Sequence, residues 1–160
     1  MYILGFDPGV TTGWAAVFYP LAPAEAPELV TRGQIMGGSL GLANELFTDP
    51  DWESDLNRVE HVVFEGFRLR RGTAMTEDQI APTYGIGVIQ ACCIARGIPM
   101  TMQMPGERKI ATNEALERLF PGLDTSYKNR HSLDALRHVV TYLVGTGHRP
   151  TIEKGWPRGV

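Results

Sequence analysis

The sequence predicts an α/β fold: a five-stranded mixed sheet, its first three strands antiparallel, with helices packed on it. Three observations predict it. Residues 2–7 (YILGFD) form a short apolar run that stops at Pro8-Gly9, a turn signal, and a second run returns over 12–19, which together read as a β-hairpin. A third run at 29–35 extends the hairpin into an antiparallel meander. Strand-like runs at 61–65 and 98–103 then alternate with helical patterns, as in a sheet built through crossovers.

The elements follow in order. Residues 20–28 (PLAPAEAPE) carry three prolines and form a loop. Ser39 is a plausible N-cap for a short helix through Leu40, Leu42, Ala43, Leu46 and Phe47, broken by Asp49-Pro50-Asp51, with a second short helix from Trp52 to Arg58. Residues 66–79 are a polar loop rich in arginine and glycine. An apolar pattern from Ala81 to Arg96 predicts a buried helix stopped by Gly97. Its Gly85-Ile86-Gly87 lowers helix propensity and implies close packing against the sheet. Strand 98–103 ends at Met104-Pro105-Gly106, and a short helix over 113–120 is capped by Thr112 or Asn113 and stopped by Pro121-Gly122. The last strong helix runs from Arg130 to Leu143, and residues 145–160 read as a loose basic tail.

The composition bounds the function. At 160 residues, with 43% hydrophobic and 21% charged residues, the chain suits one globular domain with its own core. No apolar stretch approaches the roughly 20 residues of a membrane helix, and no basic leader precedes the first strand, so a cytoplasmic protein without a membrane partner is expected. Cys92 and Cys93 are adjacent, which fits neither a disulfide framework nor a metal-ligand spacing; they are expected as reduced core residues. The net charge of −3 hides an asymmetry: residues 1–67 hold 10 acidic and 2 basic side chains, residues 68–160 hold 8 and 13. An acidic half and a basic half can form opposite faces of one fold.

Four residues stand out chemically. Asp7 ends the first strand, and Glu65 ends the run Val62-Val63-Phe64. His131 and Asp134 lie three apart on the last helix, so both point the same way. A right-handed crossover sets strand 61–65 beside and parallel to strand 2–7, roughly 4.8 Å away, with Asp7 and Glu65 facing each other at the strand ends. The last helix can then bring His131 and Asp134 over the same end, where ligands bind in such sheets. Gathering three acids and a histidine beside buried elements is costly without a cation, which points to divalent metal and phosphodiester chemistry. Each residue also has a plainer reading: Asp7 as a turn residue bonded to local amides, Glu65 as an exposed strand end, His131 as an inert first-turn residue, Asp134 on a solvated helix face.

A nucleic-acid surface is also legible. Arg68, Arg70 and Arg71 stand beside Phe67 and Leu69, so the arginines suit phosphates and the apolar pair a wedge at a branch point. Arg108, Lys109, Lys128 and Arg130 extend a phosphate track.

Ile3-Leu4-Gly5-Phe6-Asp7-Pro8-Gly9 with the trailing Thr12-Gly13, Val62-Val63-Phe64-Glu65, and His131-Ser132-Leu133-Asp134-Ala135 together resemble the RuvC family of Holliday junction resolvases, within the RNase H-like nucleases. The resemblance covers residues 1–145, taken as the nuclease domain, with 146–160 as a basic C-terminal tail. It implies an RNase H-like fold and a homodimer that nicks a four-way DNA junction symmetrically. It also implies two Mg²⁺ or Mn²⁺ ions per site, held by Asp7, Glu65, His131 and Asp134. Lys109 falls near the family's lysine, and Phe67 near its aromatic wedge. The stretch from strand five to the last helix is shorter than in cellular members, and the compact chain resembles bacteriophage versions, some of which act on broader branched DNA. Two other readings stay open: another RNase H-like nuclease acting on flaps or RNA, and a non-catalytic module that binds branched nucleic acid. An actin-type ATPase, whose opening loop is similar, needs two such domains and more chain than is present. Nothing in the sequence names a helicase partner.

Overall fold

The computed structural model describes residues 1–20, 25–67, 76–126 and 130–157. Five strands form one sheet: β1 (Tyr2–Asp7), β2 (Thr12–Phe18), β3 (Glu28–Ile35), β4 (Val59–Glu65) and β5 (Met100–Gln103), in the order β3-β2-β1-β4-β5. The pairs β1–β2 and β2–β3 are antiparallel, and β1–β4 and β4–β5 are parallel. This is the predicted mixed sheet.

Helices cover both faces. The period-two alternation of the strands decides which residue faces which layer. Leu4, Phe6, Val62 and Phe64 share one core with α1 (Gly38–Thr48), α2 (Pro50–Leu56) and α3 (Glu77–Arg96). Ile3, Ala15, Val17 and Val63 share the other with α4 (Asn113–Leu119) and α5 (Arg130–Gly145). Burial on both faces is why the central strand β1 reads as a continuous apolar run. Cys92 and Cys93 are free thiols in the first core, and Trp14 packs edge-on against Trp52 at 4.9 Å between ring centroids.

Several local expectations are corrected. Helix α1 starts one residue before Ser39, after Gly37 at φ 88°, and no side chain caps it. Asp49-Pro50-Asp51 begins α2 as well as ending α1: Asp49 accepts from the backbone amides of Asp51 and Trp52, and Pro50 takes the first helical position. Gly85 does meet a close neighbour, since a Cβ there would lie 3.0 Å from Pro8 Cβ, but Gly87 faces open space. Gly97, at φ 66°, ends α3 as expected. A 3₁₀ turn at Glu107–Ile110 follows β5.

The segment expected as a loose tail contains a helix, α6 (Arg149–Gly155). Thr151 is fully buried, Trp156 packs on the core, and Arg118 Nε donates to Gly155 O at 2.9 Å. Packing on α4, not propensity, makes this short helix. Among the described residues no helix is long and apolar enough to cross a membrane.

Candidate active site

Asp7 and Glu65 follow directly on the paired residues Phe6 and Phe64 of adjacent parallel strands, so both carboxylates emerge at one end of the sheet. Helix α5 then has to come down onto that end. Two glycines let it. A Cβ on Gly13, the residue paired with Asp7, would overlap the backbone carbonyl of His131. A Cβ on Gly5 would lie 2.5 Å from Ala135 O. The first turn of α5 therefore rests on bare backbone, and His131 Nδ1 reaches Asp7 Oδ2 at 2.8 Å.

The structure brings all four predicted residues to one cleft of about 240 Å³, with Phe67 and Arg108 also in its wall. Asp7 is 7% exposed and Asp134 5%. Arg108 sits in the middle of the acids. Its Nη1 donates to Glu65 Oε2 at 2.7 Å and lies 3.3 Å from Asp134 Oδ2 and 3.8 Å from Asp7 Oδ1. Arg137 donates to Asp134 Oδ1 and, through Nε at 3.2 Å, to Ala111 O. Arg130 Nε stands 4.0 Å from Asp134 Oδ2.

The acids do not share one environment. Burial pushes the Asp7 carboxyl up to about 7, against the hydrogen bond from His131, with Glu65 and Asp134 adding repulsion. Glu65 moves the other way, to about 2. Burial raises it, but the nearby His138 and Asp7 side chains and the positive charge of Arg108 outweigh that. The bond to Asp7 raises His131 above the usual imidazole range, against partial burial. The cleft is an anionic pocket that demands a positive group, and the guanidinium of Arg108 supplies one.

The donor chemistry fits a hard divalent cation: three carboxylates and one imidazole. In the structure the guanidinium of Arg108 stands between the carboxylates. As they stand, no three histidine, cysteine, aspartate or glutamate side chains among the described residues are gathered tightly enough to hold an ion. An ion would take the place of Arg108 among the carboxylates.

Arg108, expected as a phosphate contact, is thus placed against the acids, while Lys109 is exposed. Both line a wider trough of about 590 Å³ together with Arg130 and Arg137. This trough opens beside the acid cleft and carries the basic side chains toward it. Arg68, Arg70, Arg71 and Lys128 lie outside the described residues. Sequence reasoning missed Arg137, Gln103 and His138. The spacing of Arg137 and His138, three and four positions after Asp134 on one helix, was the available signal.

No protein-family model and no curated protein sequence matches the chain. Solved structures do. The chain is similar to RuvC of Thermus thermophilus in complex with a Holliday junction substrate, at a TM-score of 0.68 and 17% identity, over 92% of this chain and 97% of that one. A second Thermus thermophilus RuvC structure gives a TM-score of 0.67 and 18% identity, over 92% and 98%. The yeast mitochondrial Holliday junction resolvase Ydc2 gives 0.60 and 12%, over 94% and 82%. At these identities the likeness is one of fold, and it spans nearly the whole chain.

Proposed function

We propose that this chain is a metal-dependent endonuclease that resolves four-way DNA junctions by paired symmetric nicks. One observation carries the reading: Asp7, Glu65, His131 and Asp134, from three elements far apart in sequence, meet in one cleft of a fold shared with junction resolvases. Asp7, Glu65, Asp134 and His131 would hold Mg²⁺ or Mn²⁺. Two such ions would supply Lewis-acid polarisation of a scissile phosphate and activation of water. The chain's own residues do the rest. His131 orients Asp7, Arg137 fixes one oxygen of Asp134, and Arg108, once released from the acids, is within reach of a phosphate at the cleft mouth.

DNA approaches along the basic trough lined by Arg108, Lys109, Arg130 and Arg137, with Arg68, Arg70, Arg71 and Lys128 as further phosphate contacts and Phe67 as the wedge. Replacing Arg68, Arg70 and Arg71 by alanine is expected to weaken junction binding and flatten its salt dependence, by roughly 0.9 in log–log slope for each phosphate no longer neutralised. Binding measured from about 50 to 200 mM salt checks this, and an unchanged slope removes the loop from the interface.

Paired nicks need two copies of the site. Helix α3 turns Tyr84 (59% exposed), Gly87, Ala91 and Ile94 (72% exposed) outward, an apolar stripe at helical spacing. The neighbouring α1 exposes Leu40 and Phe47. This face suits a twofold contact between copies. The protein is expected to sediment as a dimer, and Ile94→Asp as a monomer; a wild-type monomer on the junction rules out the symmetric mechanism.

The assay that tests the whole reading compares a labelled mobile four-way junction with flap, linear duplex and RNA–DNA hybrid, with and without Mg²⁺ or Mn²⁺. Metal-dependent symmetric nicking of the junction supports it. Preference for a flap or hybrid moves the chain to another RNase H-like activity, and junction binding without cleavage of any substrate makes it a binding module.

A further inference from the structure

We propose that His138 is a positioning residue for Glu65, held in place by Gln103. The inference rests on the nuclease reading of the acid cleft and adds a part to it.

His138 lies one turn beyond Asp134 on α5 and is completely buried. Its ring spans the gap between two strands. On one side Nδ1 lies 2.8 Å from the side-chain amide oxygen of Gln103, itself only 6% exposed. On the other side Nε2 has no hydrogen-bond partner, and the nearest acidic atom is Glu65 Oε2 at 3.7 Å. That same oxygen takes the 2.7 Å hydrogen bond from Arg108.

A buried ring nitrogen without a partner is costly, and an aliphatic side chain would fill this buried position without that cost. Gln103 is no accident of packing either. Its backbone pairs with Glu65 across β4 and β5, and its carbonyl accepts from Gly66 N at 2.6 Å. Gln103 is therefore fixed beside Glu65 through the main chain and linked back toward it through His138. The two buried polar side chains make sense as one unit that ends on the Glu65 carboxylate.

The remaining distance is too long for a hydrogen bond, and a movement of Glu65 by about 1 Å closes it. Arg108 keeps Oε2 where it is. With a cation in place of Arg108, Glu65 would be free to turn, and one of its oxygens would come within reach of Nε2–H. A carboxylate only accepts, so the ring proton sits on Nε2. Nδ1 then accepts from the Gln103 amide NH₂, which reaches the same point by a half-turn of the amide. This is the outer-shell support that fixes the orientation of a metal-binding carboxylate.

The test uses the full chain. In ¹⁵N-labelled protein, a two-bond ¹H–¹⁵N correlation spectrum separates the two ring tautomers, and His138 is identified by its absence in His138→Gln. The expected result is a proton on Nε2 that persists when Mg²⁺ is added and shifts in Glu65→Gln. A proton on Nδ1, or loss of the Nε2 proton on adding metal, overturns the proposal. The latter makes His138 a direct ligand.

Metal affinity supplies the second readout. His138→Gln keeps a donor near the Nε2 position, whereas His138→Leu does not. Calorimetric Mn²⁺ affinity of the free protein is expected to fall about 10- to 100-fold in His138→Leu and to stay within about threefold in His138→Gln. Gln103→Leu should fall in the same direction and serves if His138→Leu does not fold. Equal affinities in the Gln and Leu variants overturn the proposal. If the wild type cleaves no nucleic acid, the nuclease reading fails by itself, while the tautomer and its response to Glu65→Gln still decide whether His138 supports that carboxylate.

Discussion

Asp7→Asn and Asp134→Asn are each expected to abolish nicking while leaving junction binding intact. The amide keeps the shape of the side chain but removes the charge that would hold a cation. Removing one such electrostatic interaction lowers turnover by about a hundred- to a thousandfold or more. On the proposed reading phosphate affinity resides in the basic trough, so the binding curve without metal should not move. Single-turnover cleavage and gel-shift titration of the same four-way junction separate the two effects. Full activity in either variant ends the nuclease interpretation.

The two variants should differ in stability. Burial raises the Asp7 carboxyl from 3.8 to about 7, so the folded protein holds that proton more tightly than the unfolded chain does. The associated stability is fully present below pH 3.8 and is lost as pH rises through about 7. Without added metal at pH 8, Asp7→Asn is therefore expected to melt at or above the wild-type temperature. Asp134→Asn should melt lower, because Asp134 pairs with Arg108 and Arg137 in a mostly buried setting and its loss takes a carboxylate from each, leaving Arg108 with Glu65 and Asp7. Thermal melts of the three proteins in a chelator check the ordering.

The second large effect is expected from one methyl group. Gly13→Ala drives a Cβ into the carbonyl of His131, against backbone that cannot rotate away. Either β2 bends or α5 lifts. Overpacking of this kind costs about 1–3 kcal/mol or more. For a chain of this size that is a fall in Tm of roughly 2–4 °C per kcal/mol. Activity should fall further than stability does, because α5 carries His131 and Asp134, and a displacement of about 1 Å in a reacting constellation costs about a hundredfold. Gly9→Ala is the control: its nearest contact is 3.2 Å from Thr11 O, within the same turn. Unchanged melting and nicking in Gly13→Ala would mean that α5 does not rest on β2 as described.

Much of this site was visible in the sequence, and the reason differs for each residue. Asp7 and Glu65 are visible because each ends an apolar run, and the end of a strand is a local property of the chain. His131 and Asp134 are visible because a three-residue spacing on a helix is local too. Gly13 stands in the opening motif, but its use as the seat of α5 concerns a segment more than a hundred positions away, and nothing nearby marks it. Helix α6 is not legible as a helix because a seven-residue segment is too short to be helical without tertiary packing; what orders it is Thr151 and Trp156 packing on the core.

By itself, then, the sequence determines the order of the strands and of the helices as far as α5, the mixed sheet, and the four candidate residues with the chemistry to hold a cation. Periodicity, turn residues and strand ends are written in neighbouring positions, and that is where the physics of secondary structure acts. Only the tertiary structure decided that Arg108 stands among the acids, that Arg137 bonds Asp134, that buried His138 and Gln103 stand beside Glu65, and that bare glycine backbone lets His131 meet Asp7 across 124 positions of chain. Those are meetings between side chains on different elements, chosen by how closely two surfaces can approach, and no local pattern carries that information.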